Sequence, residues 1–236
     1  RLREGLLQSR NLVSVRLLRE VGVEKVRTYA EKFGFDRERL PADLSLSLGT
    51  ASLNPLSNAA AYSVFANGGK KIEPYLISKI LDRKGNLIFE RVSNNPEQVI
   101  DERIAFLIND ILKEAASRGT ARKISQLNRN DFSGKTGTTN KAESTWFTGY
   151  NEHIVSSVWV GFDQPKSLGD REFGSTVALP IWLDYKSKIV DDLPVSQKLP
   201  PEGISIVKID KESGKLAGPR SSEVLFEYFM EEKLPN

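Results

Sequence analysis

A chain of 236 residues, 39% hydrophobic and 28% charged, is long enough for one large domain with a real core, with or without a small appendage. Its 34 lysines and arginines against 31 aspartates and glutamates give a formal charge of +3, too balanced for a nucleic-acid binder. The absence of cysteine and the single histidine, His153, exclude disulfides, thiol nucleophiles, thiolate metal sites and zinc motifs built on two histidines, and leave a Ser-His-Asp triad only that residue.

The first half reads mainly as helices. Arg1-Leu2-Arg3-Glu4 is no signal peptide and looks like the interior of a domain, so the chain is expected to be a fragment. Seven basic groups against three acidic in residues 1–27 are read as the solvated polar face of an amphipathic helix. Leu12, Val15 and Leu18, with Val13, Leu17 and Val21, give that helix an apolar face ending near Gly22. A second helix over 23–33 stops at Gly34. Residues 44–69 carry no charge and are long enough on paper to span a membrane. Ser, Asn, Gly and Pro55 break the run, so a buried helix with flanking loops is expected. Asn54-Pro55 starts that helix and Gly68-Gly69 ends it. Residues 75–82 and 87–90 read as a hairpin around Arg83-Lys84-Gly85-Asn86. Asp101 then caps a long helix closing at Arg118-Gly119.

After Gly119 the period becomes strand-like, over 131–138, 145–150 and 154–162, with a tight turn at Asn151-Glu152. Pro180-Ile181-Trp182-Leu183 opens another helix. A Pro-rich stretch over 193–201 marks a linker, followed by a β-like tail at 204–209 and Lys215-Leu216. The expected class is α+β, an antiparallel sheet covered by helices on both faces, with a main domain over 1–192 and a linker and tail over 193–236.

The segment richest in chemistry is Ser133-Gly134-Lys135-Thr136-Gly137-Thr138. Gly134-Lys135-Thr136 matches the end of a phosphate-binding loop, but that motif needs Gly where this chain has Arg129, and a helix where a turn and strand follow. An active-site strand fits better. Lys135 and Gly137 share one side of it, and Thr136 and Thr138 the other. Gly137 leaves room for a ligand against the backbone. Lys135, the two hydroxyls and a free amide suit a carboxylate or a developing oxyanion. Alone, Lys-Thr-Gly is a weak signal and fits a solvated strand end equally well.

Ser9-Arg10-Asn11, expected just before the first helix, supplies a second element. Together the two resemble the Ser-x-Asn and Lys-Thr-Gly motifs that accompany Ser-x-x-Lys in one serine acyltransferase superfamily. The surrounding text, from Gln8-Ser9-Arg10-Asn11-Leu12-Val13 through Leu48-Gly49-Thr50, Ala66-Asn67-Gly68-Gly69, Arg118-Gly119-Thr120-Ala121 and Val158-Trp159-Val160-Gly161-Phe162-Asp163, resembles the class A penicillin-binding proteins as far as about Gly218. That family often has Asp-Ala-Trp-Phe where this chain has Ser144-Thr145-Trp146-Phe147.

The resemblance implies a D,D-transpeptidase that cross-links peptidoglycan stem peptides through an acyl-serine and is inhibited by β-lactams. It implies catalytic roles for Ser9, Asn11 and Lys135, substrate binding by Thr136, Gly137 and Thr138, and neither metal nor cofactor. The family's nucleophilic Ser-x-x-Lys precedes Ser-x-Asn, so it is expected on an upstream segment acting as this chain's partner. The resemblance also implies a parent with a glycosyltransferase domain, anchored by an N-terminal membrane helix and working on the outer side of the bacterial cytoplasmic membrane. The formal match Ser205-Ile206-Val207-Lys208 lies in strand-like text, where its Ser and Lys point apart, and is a decoy. His153 reads as a solvated turn residue, and Trp146, Trp159 and Trp182 as core or groove packing. A serine β-lactamase or D,D-carboxypeptidase of the same superfamily remains an alternative, distinguished by efficient hydrolysis of the acyl-enzyme. So does a non-catalytic peptidoglycan-binding or sensor module, distinguished by the lack of any upstream Ser-x-x-Lys.

Overall fold

The computed structural model describes residues 1–92 and 95–236. Helices α1 (Leu2–Leu7), α2 (Asn11–Val21) and α3 (Val23–Glu31) lead through two 3-10 turns, Arg37–Arg39 and Leu44–Leu48, to α4 (Pro55–Ala66). Strands β1 (Lys70–Lys71), β2 (Lys79–Leu81), β3 (Leu87–Glu90) and β4 (Glu97–Gln98) precede α5 (Glu102–Arg118). After a 3-10 segment, Arg122–Leu127, come β5 (Ser133–Thr138), β6 (Ser144–Tyr150) and β7 (Val155–Gly161), then α6 (Ala178–Ser187), β8 (Ile204–Asp210) and β9 (Val224–Met230).

Local chemistry sets the helix starts. The Asn54 side chain accepts from the Ser57 amide at 2.8 Å with Pro55 at the first helical position, and Asp101 accepts from the Arg103 amide at 2.8 Å. The uncharged run 44–69 resolves into a 3-10 turn and α4. Among the described residues no helix is long and apolar enough to cross a membrane.

The site rests on the antiparallel sheet β5-β6-β7, with β5 at one edge. On one face Asn58 of α4 donates to Thr148 Oγ1 at 2.8 Å and to Ser157 Oγ at 3.2 Å, and the Tyr62 ring meets Tyr150. On the other face Trp182 of α6 packs edge-on against Phe147 and Phe132, at 5.1 and 5.4 Å between ring centroids. A pair of glycines makes this possible. Gly134 and Gly149 face each other in register. A Cβ on Gly134 would stand 2.7 Å from the Phe147 ring, and one on Gly149 2.6 Å from Trp182. The core around them includes Ala116, Ala121, Ile124, Ala178 and Leu179.

Several expectations need correction. A helix, α1, precedes Ser9; six residues are too few for a period to show, and its place is set by burial of Gly5 and Leu7. Helix α6 begins at Ala178, and Pro180 fits its first turn, where no intrahelical amide bond is lost. The first hairpin strand is only Lys79–Leu81. In the tail, Lys215-Leu216 contributes a single bridge, Ile209 to Leu216, whereas the full partner of β8 is β9, unforeseen in the sequence. Nor are the early basic groups all solvated. Arg3 lies between Asp110 and Glu114 of α5, at 2.7 and 2.8 Å, and pairs with Glu227 of β9. The Pro-rich stretch is strapped down as well. Arg129 donates to the Val190, Leu193 and Pro194 carbonyls, and Lys198 to the last carbonyls of α4.

Candidate active site

Edge strand β5 places Lys135 in register with Thr148, so its side chain leaves the sheet on the α4 face. Lys135 Nζ donates to Ser9 Oγ at 2.8 Å and to the Thr136 carbonyl at 3.0 Å. The two motifs, 126 residues apart in sequence, therefore meet in one hydrogen bond. Ser9 occupies the junction of α1 and α2 at φ 52°, in the left-handed region. Its amide bonds to the Leu6 carbonyl, and that of Arg10 to the Gly5 carbonyl, which closes α1. Such a conformation costs a non-glycine residue ~1–3 kcal/mol and is kept where the surroundings enforce it. Ser9 is not a helix cap: the N-cap of α2 is Arg10, and no side chain among the described residues caps the helix.

Lys135 lies within the strand, half-buried, rather than at an exposed end. Burial pushes its ammonium down to about 8. It is still mostly protonated at neutral pH, and no acidic side chain among the described residues offsets its charge. Its positive field therefore faces whatever enters the cleft.

The Thr hydroxyls leave from the opposite face of β5 and are held by the protein. Thr136 Oγ1 is 2.7 Å from Thr120 Oγ1. Thr138 Oγ1 accepts from the Gly174 amide at 2.9 Å. Gly174 presses on the back of the strand: a Cβ there would stand 2.6 Å from the Gly137 carbonyl and 2.5 Å from that of Trp146. Asn11, Lys135, Thr136, Gly137 and Thr138 all line one cleft of about 460 Å³, with Leu48, Trp146 and Thr148 among its other walls. A larger cleft of about 820 Å³ between α1, α5 and β9 holds none of the predicted site residues and is lined by Arg3 and its acidic partners.

The model of the penicillin binding protein transpeptidase domain matches residues 1–184. The chain belongs to this family. Penicillin-binding protein 1A of Pseudomonas aeruginosa is 39% identical over 285 residues, which cover 99% of this chain and 34% of that protein. The crystal structure of penicillin-binding protein 1A from Haemophilus influenzae is similar with a TM-score of 0.91 at 33% identity, covering 100% of this chain and 40% of that one. The PonA1 protein of Mycobacterium tuberculosis, solved in complex with penicillin V, shares the fold at a TM-score of 0.68 and 22% identity, over 84% of this chain and 58% of that one. The chain thus spans about a third of the length of its Pseudomonas relative. The mixed α+β architecture is that of the penicillin-binding transpeptidase domain.

Within this fold the other candidates sort by position. Ser205 donates to Glu231 at 2.9 Å from strand β8, with Lys208 on the opposite face. His153 is exposed in the turn, its amide bonded to Asn151. Trp182 is core, whereas Trp146 forms a wall of the cleft and tilts against Trp159 at 6.3 Å. Sequence reasoning missed Thr120, Gly174 and the polar group Asn58–Thr148–Ser157. The only signal for any of them was Arg118-Gly119-Thr120-Ala121, whose text matched the family without showing where the hydroxyl points.

Proposed function

We propose that this chain is the larger part of a serine D,D-transpeptidase that cross-links peptidoglycan and is inhibited by β-lactams. The observation that carries the reading is Lys135 Nζ, 2.8 Å from Ser9 Oγ and beside a cleft shared by Lys135, Asn11 and the Lys-Thr-Gly strand. The nucleophile is a Ser-x-x-Lys serine on a segment outside these residues. Its Oγ attacks the carbonyl carbon of the penultimate D-Ala, its proton passes to the paired lysine, and the tetrahedral oxyanion collapses to an ester. Ser9, hydrogen-bonded to Lys135, relays a proton to the departing terminal D-Ala amine. Asn11 has both an amide donor and a carbonyl acceptor with which to orient the base and the substrate amide. Lys135, Thr136 and Thr138 draw in the terminal carboxylate, and the amide of Thr138 donates to the oxyanion. An amine from a second stem peptide attacks the ester and completes the cross-link. No metal or cofactor takes part. The intact protein also carries a glycosyltransferase domain and a membrane anchor and acts on the outer face of the cytoplasmic membrane, with residues 193–236 as a tail of this domain.

Acylation of the intact protein by a fluorescent penicillin tests this. Lys135→Ala should slow it ~10²–10³-fold, the scale of a lost charge-stabilising donor, and Ser9→Ala should slow it with little change in melting temperature. A loss under threefold in Lys135→Ala would sink the reading.

A further inference from the structure

We propose that Thr120 is a positioning residue that turns the Thr136 hydroxyl into a donor for a substrate carboxylate; this rests on the function proposed above. Thr120 does not line the cleft, whereas Thr136 does. Their hydroxyl oxygens are 2.7 Å apart, and either could donate. The chemistry of the ligand decides which. A threonine hydroxyl has one proton, and a carboxylate can only accept. While the two hydroxyls stay bonded to each other, Thr136 can donate to a carboxylate only if Thr120 gives its own proton to Thr136. Were the direction reversed, Thr136 would turn a lone pair toward the anion and repel it. Donation by Thr120 also polarises the Thr136 O–H and strengthens the bond it makes.

The backbone around Thr120 is built to hold it there. Its amide donates to the Leu7 carbonyl, at the end of α1 and two residues before Ser9. Gly119 lies so close beneath that a Cβ would stand 2.9 Å from the Leu7 carbonyl and 2.7 Å from that of Ala115. Leu7, Ala115 and Ala121 are fully buried around this joint. The end of α5 thus fixes one threonine against β5 and against the helix that presents Ser9.

The test uses the intact protein and two D-alanyl thioesters, one ending in a carboxylate and the other in the corresponding carboxamide, with thiol release as the readout. Thr120→Val keeps the shape and removes the donor. It should lower acylation efficiency on the carboxylate about tenfold, the effect of one lost hydrogen bond, and on the carboxamide less than twofold. Thr120→Ser should restore the carboxylate reaction to within about threefold of wild type, since one hydroxyl is equivalent to the other. Should Thr120→Val melt early, Thr120→Ala removes the same hydroxyl without a bulkier group and gives the same comparison. Equal losses on both thioesters would show a merely structural role and overturn the inference. So would an unchanged carboxylate reaction while Lys135→Ala remains impaired. Failure of Lys135→Ala itself to impair acylation would overturn the function, and this inference with it.

Discussion

At the scale of single residues, two desolvated lysines have opposite characters. Lys135 is desolvated, but its Nζ donates to Ser9 and to the Thr136 carbonyl, so its lowered basicity comes with two acceptors. Lys186 of α6 is fully buried, and among the described residues its Nζ has no hydrogen-bond partner, only the faces of Trp182 and Tyr185 at 5.4 and 5.1 Å. Burial pushes it down to about 8 from an ordinary 10.5. A lysine with a depressed folded value binds its proton more tightly when unfolded. The penalty on the fold is therefore complete below about pH 8 and disappears as pH rises through 10.5. In the intact protein Lys186→Met should raise the melting temperature of this domain at pH 7 by about 2–4 °C, the effect of ~1 kcal/mol on a domain of about this size. The gain should shrink as the melts are repeated toward pH 10. A Met variant that melts lower at pH 7 would mean that the ring faces outweigh desolvation.

At the scale of elements, the edge strand β5 is shaped from behind. The Gly174 loop backs Gly137 and holds Thr138, and α5 with Thr120 holds Thr136. Gly174→Val would drive a side chain into two backbone carbonyls, neither of which can rotate away as a side chain would. In the intact protein it should cost about 1–3 kcal/mol in urea unfolding, the usual scale of overpacking, and slow penicillin acylation even below the unfolding transition. Normal acylation with normal stability would mean that the loop lifts freely off the strand. The elements that were legible in advance are those with local signals: Asn54-Pro55 for α4, Asp101 for α5, and alternation for β5 to β7. Helix α1 and strand β9 were not. The former is too short to show a period, and the latter is defined by its pairing with β8 and by the Phe106–Tyr228 contact at 5.1 Å.

At the scale of the whole molecule, apolar surface is left open. On α2, Leu12 is 71% exposed and Leu17 42%, so much of the face its periodicity predicted to be buried has no cover among the described residues. Strand β7 likewise has one unpaired edge in its sheet, a place where chains associate. On the proposed function, which puts the nucleophile on a segment outside these residues, the 236 residues alone should fold poorly and take no penicillin label. Co-expression of the segment carrying Ser-x-x-Lys should restore both solubility and labelling, with the adduct on that segment. Intact-mass analysis decides it, and a stoichiometric adduct on any serine of the lone chain would show that the nucleophile lies within it.

The residue types at the site were readable from the sequence, because Ser-x-Asn and Lys-Thr-Gly are local patterns and the strand period separates Lys135 from Thr136 and Thr138. Their meeting was not. The Lys135–Ser9 bond, the Thr120–Thr136 pair and the Gly174 backing join segments 126, 16 and 36 residues apart. Local propensity determines which face of an element a side chain leaves from. Which distant hydroxyl or amide it then meets is decided by how helices pack on the sheet, and here the facing glycines Gly134 and Gly149 set that packing by admitting Trp182 and Phe147.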